Sequence, residues 1–159
     1  MKNILFSLLL LASVTMRASA ADAHAAWLTD LPQAQAQAAK ENKMVLVNFT
    51  GSDWCPACKL LDKTVLSTMP FADYSKSNLV LVIIDSPVEK ELPAALQKSN
   101  DALKEKYKIE GFPTVIVFGS DGKQLLRDDG FKGESANEYV SKLKKLAMAK
   151  VSSPKTAGI

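Results

Sequence analysis

The sequence predicts a single α/β domain built on a mixed sheet of four to five strands flanked by helices. Three observations lead there. Short, β-branched apolar runs of strand length alternate with helically patterned stretches over most of the chain. An Asp121-Gly122 pair has the sequence of a tight hairpin turn. A capped amphipathic stretch closes the chain. Strands separated by helices run parallel and a hairpin runs antiparallel, so the two patterns together require a mixed sheet.

Each element has its own warrant. Asp30 supplies an N-cap, Pro32 is tolerated in a first turn, and the Ala/Gln-rich stretch behind them reads as a helix to about Glu41. Met44 to Phe49 is a buried strand. After Cys55, the residues Leu60, Leu61, Thr64 and Val65 have helical spacing. Leu79 to Ile84 is the second buried strand. Ser86 to Asn100 holds two prolines and many charges and reads as an irregular insertion, followed by a short helix from Asp101 to about Tyr107. Thr114 to Phe118 is the third strand, and the Asp-Gly turn leads into a fourth, Lys123 to Arg127. Ser135 and Glu138 form a capping box, behind which Tyr139, Val140, Leu143, Leu146 and Ala147 make an apolar stripe. No internal repeat is visible.

Length and composition set the bounds. The chain has 159 residues, 47% of them hydrophobic, with 7 glycines and 7 prolines. That is one domain with enough apolar mass to close a core, and it excludes collagen, low complexity and overall disorder. The first twenty residues read as a cleaved signal peptide. Lys2 gives a positive start, Ile4 to Val14 is an apolar run, and Ala18-Ser19-Ala20 is a small-residue cleavage site. The alternative is a membrane anchor, but a helix over that run rises only about 16 Å against a hydrocarbon core of about 30 Å. Residues 21–26 read as a flexible leader, 27–149 as the domain and 150–159 as a flexible tail. The expected mature protein is periplasmic or secreted, without stable membrane insertion, in an oxidising compartment where cysteine pairs form disulfides. Removal of Lys2 and Arg17 leaves 18 basic residues against 17 acidic ones. So small a charge gives no support for nucleic acid as a partner.

The chemistry is carried by the two cysteines, Cys55 and Cys58, in Trp54-Cys55-Pro56-Ala57-Cys58. They fall where a strand gives way to a helix. There the first cysteine faces unpaired backbone N–H groups and the positive end of the helix dipole, which favour thiolate over thiol. The second lies one turn on, where it can close a short disulfide or resolve a mixed one. Two blander readings compete. A structural disulfide closing so short a loop stabilises by only about 2 kcal/mol. A metal site wants about four ligands, and the single histidine, His24, lies in the leader. No cofactor and no metal are called for.

The segment Phe49-Thr50-Gly51-Ser52-Asp53-Trp54-Cys55-Pro56-Ala57-Cys58-Lys59 resembles the active-site segment of thioredoxin-like proteins. It is similar above all to exported bacterial members whose strand is followed by Thr-Gly-Ser-x-Trp-Cys. A second match is Gly111-Phe112-Pro113-Thr114. The resemblance covers roughly residues 27 to 149 and implies a thioredoxin-like fold. It implies a cis peptide at Pro113 beside the disulfide, with backbone there offering hydrogen bonds to an extended substrate strand. It implies Cys55 as the attacking thiolate and Cys58 as the resolving one, with Trp54, Pro56, Ala57, Phe112 and Pro113 at the substrate. Protein thiols and disulfides are the implied clients of a monomer, with a membrane thiol transporter as the electron source of an exported reductase.

Three departures from the family pattern stand out. Asn48 occupies the position of a buried aspartate, and an amide cannot take or give a proton as a carboxylate does. Water, Asp53 or another carboxylate is left as its replacement, although Asp53 reads more readily as a plain loop carboxylate near a helix start. Lys63 stands near the place of a helix-kinking proline. Pro56-Ala57 lacks the histidine of strongly oxidising relatives, which favours the reducing direction. Oxidase, isomerase and non-catalytic binding module, for a client or a metal ion, remain as alternatives. Trp27 is expected to pack at the domain edge, and Lys59 to be a solvated helix residue.

Overall fold

The computed structural model describes residues 26–152. The signal peptide expected over 1–20, all of the leader but Ala26, and the tail beyond Ser152 lie outside the described residues. Five strands and five helices follow one another as β1 (Trp27–Leu28), α1 (Leu31–Glu41), β2 (Met44–Thr50), α2 (Pro56–Leu61), α3 (Met69–Asn78), β3 (Leu79–Asp85), α4 (Ala94–Lys106), β4 (Thr114–Phe118), β5 (Gln124–Asp129) and α5 (Ala136–Ser152). The sheet order is β1-β3-β2-β4-β5. β1 and β2 run parallel to β3, β4 runs antiparallel to β2, and β5 antiparallel to β4. The helical connections keep β1, β2 and β3 parallel, but β4, although it follows α4, returns antiparallel to β2 and so departs from the expectation that helix-separated strands run parallel; the hairpin then adds β5 antiparallel to β4.

Strand alternation divides the core into two layers. Val45, Val47 and Phe49 of β2 join Val80, Val82, Ile84, Ile116 and Phe118 on one face, where Leu31, Ala34 and Ala38 of α1 cover them. The small alanines let α1 approach the sheet closely. Met44 and Leu46 point the other way, with Leu79, Leu81, Val115 and Val117, under Leu61, Phe71, Tyr139 and Leu143. Period two then puts Asn48 on this second face, beneath α2.

Local signals set several boundaries. The Asp30 carboxylate accepts from Gln33 N–H at 2.8 Å, and α1 ends on Asn42 in the left-handed region, φ 52°. Ser135 and Glu138 form the expected capping box, with Ser135 N–H donating to the Glu138 carboxylate at 2.8 Å.

The structure differs from the sequence-based expectations in four further places. α3 was not expected: its Met-Pro-Phe-Ala-Asp-Tyr-Ser-Lys-Ser-Asn sequence has modest helix propensity, and buried Phe71 and Tyr74 hold it in place. α4 starts at Ala94 rather than at Asp101, because Pro93 opens the helix instead of interrupting it, so the irregular segment is only 86–93. β1 adds a two-residue strand at the sheet edge, placing Trp27 there. Where the sequence has Lys63 in place of a helix-kinking proline, α2 passes into a π-helical turn, Asp62–Leu66, with Ser67 N–H donating to Asp62 C=O at 2.9 Å. Among the described residues no helix is long and apolar enough to cross a membrane.

Candidate functional site: a dithiol at the β2–α2 junction

β2 is buried along its whole length, and the chain leaves it through Gly51 to Trp54. A Cβ on Gly51 would stand 2.5 Å from the Trp54 indole. The indole therefore packs where only glycine leaves room. Its Nε1 donates to the Ser86 carbonyl at 2.8 Å, and its ring meets Phe112 edge-on, 5.8 Å between centroids and 86° between planes. Trp54 is 45% exposed yet held from two sides.

Cys55 is the N-cap of α2, and its Sγ accepts the Cys58 N–H at 3.2 Å. The two cysteines are joined as a disulfide, with Cα atoms 5.3 Å apart, and each is 4% exposed. Once the bond is reduced, the same amide and the helix N-terminus favour negative charge on Cys55. Pro56, in the first turn, has no N–H to contribute. Cys58 lines a polar pocket of about 150 Å³ on the inner side, together with Asn48, Thr50, Ser52, Lys59, Asp62 and Ile83. Asn48 is buried there, and its Oδ1 meets no donor among the described residues.

The loop that follows β3 is bound to this junction at several points. Ser52 N–H and Oγ–H donate to the Asp85 carboxylate at 2.9 and 2.6 Å. Ser86 N–H donates to Thr50 C=O at 2.8 Å, and Asn100 Nδ2 to Asp85 C=O at 2.9 Å. The Asp53 carboxylate accepts Val88 N–H at 3.1 Å and Glu89 N–H at 2.8 Å. Partial desolvation pushes the Asp53 carboxyl up, but these amides, with its own and that of Lys90, outweigh it and hold the group below the ordinary aspartate range. Asp53, a sequence candidate for proton transfer, thus anchors segment 86–93 and does not line the pocket. Lys59 is exposed, with its Nζ donating to the Asp53 carbonyl.

The Phe112–Pro113 peptide is cis. Pro113 is buried, its carbonyl accepts Gly130 N–H at 2.8 Å, and Thr114 Oγ1 donates to Gly111 C=O at 2.9 Å. The ring contact with Trp54 brings this loop to the disulfide segment. Thus Trp54, Cys55, Cys58, Phe112 and Pro113 form one neighbourhood, with Pro56 exposed and Ala57 half-buried on the first turn of α2. Sequence reasoning passed over Ser52, Asp62, Asp85 and Val88. Asp62 was legible, since it lies four residues after Cys58 on one helical face. The other three meet the site only through the fold. Among the described residues no group of three or more His, Cys, Asp or Glu side chains is placed to hold a metal ion.

Fold and site together define a dithiol domain of thioredoxin architecture. The chain belongs to the thioredoxin-like family, whose domain profile matches residues 31–147. A curated relative, the disulfide bond reductase DsbH of Chlamydia pneumoniae, is 34% identical over 105 residues, covering 66% of this chain and 63% of that protein. The thiol:disulfide interchange protein DsbD of Photorhabdus laumondii is 31% identical over 110 residues, covering 65% of this chain but 17% of its own length. Among solved structures, a DsbH oxidoreductase superposes with a TM-score of 0.71 at 31% identity, covering 77% of this chain and 84% of that one. The chain thus spans less than two thirds of the length of these curated relatives.

Proposed function

We propose that this protein is an exported thiol–disulfide oxidoreductase that reduces disulfides in protein clients. The observation that carries the reading is Cys55 at the α2 N-cap, its sulfur accepting the Cys58 amide. In the reduced protein, Cys55 thiolate attacks a client disulfide. One client thiolate leaves, and a Cys55–client disulfide forms. Cys58, as thiolate, then attacks Cys55 Sγ. The second client thiolate leaves and the Cys55–Cys58 bond is restored, so two electrons pass to the client. The client segment lies along Trp54, Phe112 and Pro113, over Pro56 and Ala57. A membrane thiol donor returns the electrons. The signal-like start of the sequence supports export, and the reductase DsbH and the interchange protein DsbD support the chemistry.

The direction is tested by equilibrating the protein in glutathione buffers and counting trapped thiols by mass spectrometry. A potential near about −250 mV or below supports a reductant, and one near about −130 mV an oxidant. A pair that never re-reduces under native conditions would leave only a structural disulfide.

A further inference from the structure

We propose that the cleft between α2 and the start of α5 receives a lysine or arginine side chain of the client, so that proteins with a basic residue near the reacting cysteine are preferred. The inference rests on the exchange reaction proposed above and adds a client preference to it.

The cleft adjoins the disulfide. One wall carries Leu60, two residues beyond Cys58, and Thr64 of the π turn; the other carries Phe131, and Ala136 lies at the start of α5. Gly130, just before Phe131, donates its N–H to Pro113 C=O at 2.8 Å. A client strand lying on Pro113 and running on past Gly130 therefore reaches the mouth of the cleft. The volume is about 530 Å³; at roughly 30 Å³ per water, that is room for a long side chain with water around it.

The walls are apolar. α2 turns Cys58 and Leu61 inward and leaves Leu60 49% exposed, one of few large apolar side chains so placed. Phe131 is half-buried, with part of its ring on the core. Thr64 satisfies its hydroxyl on the Leu60 carbonyl at 2.8 Å.

The charge is negative. Glu134 and Glu138 line the cleft, and no lysine or arginine among the described residues lines it with them. Ser135 hydrogen bonds hold the Glu138 carboxyl below its ordinary value, against the opposing push of the Glu134 charge. Both Ser135 donors use Glu138 Oε2, which leaves Oε1 for a further donor. Lys142 reaches Glu134 at 3.2 Å but also Asp128 at 2.6 Å, one cation between two carboxylates. Lys142 and Lys145 line a neighbouring depression that shares Glu138. An apolar stem ending in a cation fits such a place: the stem covers Leu60 and Phe131, and the head meets the carboxylates. An acidic side chain would be repelled, and a wholly apolar one would cover carboxylates without pairing them.

The test uses short peptides whose single cysteine carries nitrothiobenzoate in a disulfide. They differ at one position, two to five residues to either side of the cysteine, which holds arginine, norleucine or glutamate. Cys55 thiolate of the reduced protein attacks the peptide sulfur, the disulfide breaks, and nitrothiobenzoate leaves as the coloured thiolate. Each second-order rate constant is divided by that of the same peptide with dithiothreitol, which removes intrinsic reactivity. At the best position arginine is expected to exceed norleucine about three- to tenfold at low salt, and the advantage should shrink in about 0.5 M salt. Glutamate should fall below norleucine. Glu138→Gln keeps an acceptor for Ser135 in the capping box and should cut the arginine advantage about twofold or more. Adding Glu134→Gln should bring it to within about twofold of unity. Leu60→Gln should slow the arginine and norleucine peptides alike. Equal rates for the three peptides at every position, or an arginine advantage that survives both glutamate substitutions, would overturn the proposal. Failure of every peptide to release nitrothiobenzoate would defeat the exchange reaction itself, and the client preference with it.

Discussion

Gly51→Ala reaches the site without altering a sulfur. The added methyl would stand 2.5 Å from the Trp54 indole, well inside contact distance. The Gly51 backbone is tied down, since its carbonyl accepts Cys55 N–H at 2.9 Å. The indole must therefore swing away. That breaks the Nε1–Ser86 hydrogen bond, worth about 0.5–1.5 kcal/mol net. It also breaks the edge-on pair with Phe112, worth about 0.5–1.5 kcal/mol. The loss is about 1–3 kcal/mol, and the 45% exposure of Trp54 places the expected value in the lower half of that range. Urea unfolding of Gly51→Ala, Trp54→Ala and the double variant measures it. In the Trp54→Ala background the methyl meets no indole, so its cost should shrink to within about 0.5 kcal/mol of zero. Client reduction should fall in both single variants. An equal cost of Gly51→Ala in both backgrounds would refute the reasoning, because the clash would then lie elsewhere.

Other perturbations have expected outcomes of their own. The Asp53 carboxyl sits below its unfolded value of about 3.9, so its hold on segment 86–93 is complete above that pH and is lost as pH falls through the lower folded value. Protection of the Val88 and Glu89 amides relative to their intrinsic exchange, followed by NMR, should therefore fall as the pH drops below about 4, and Asp53→Asn should abolish that pH dependence of protection. Arg127 donates to the carbonyls of Tyr107 and Lys108 at the end of α4 and forks onto Asp129 through Nε and Nη2. Arg127→Lys cannot reproduce the fork and should cost about 1–2 kcal/mol in urea unfolding; a loss within about 0.3 kcal/mol would mean the carbonyls are served equally well by water. Phe71 is fully buried, so Phe71→Ala should cost about 3–5 kcal/mol and show α3 to be part of the cooperative unit; a second, separate unfolding transition would contradict that.

What the sequence made legible was what short-range patterns encode. β2, β3 and β4 are apolar runs of strand length, the Ser135–Glu138 box is a local signal, and Cys55 to Cys58 marks a strand–helix junction. The failures have tertiary causes. α3 depends on Phe71 and Tyr74 reaching the core. Pro93 looks like a breaker in the sequence, but its place just before Ala94 makes it a starter. β1 exists only because Trp27 and Leu28 find Leu81 and Val82. In the site, both sulfurs and Asn48 were visible at once, whereas the pocket that joins Asn48 to Asp62 needs β2 and α2 packed together.

The π turn at Asp62–Leu66 gives the chain a history as well as a shape. A π turn carries one residue more than an α-helical turn of the same reach. Here the extra residue falls among exposed Asp62, Lys63 and Thr64, while Leu61 before them and Val65 after them stay buried. The helix can therefore absorb an insertion or give one up at this point without changing which face its flanks present. Removing Lys63 would bring Leu61 and Val65 three apart instead of four, and both spacings keep a common face. Length variation among relatives should accordingly gather at this turn rather than in a surface loop.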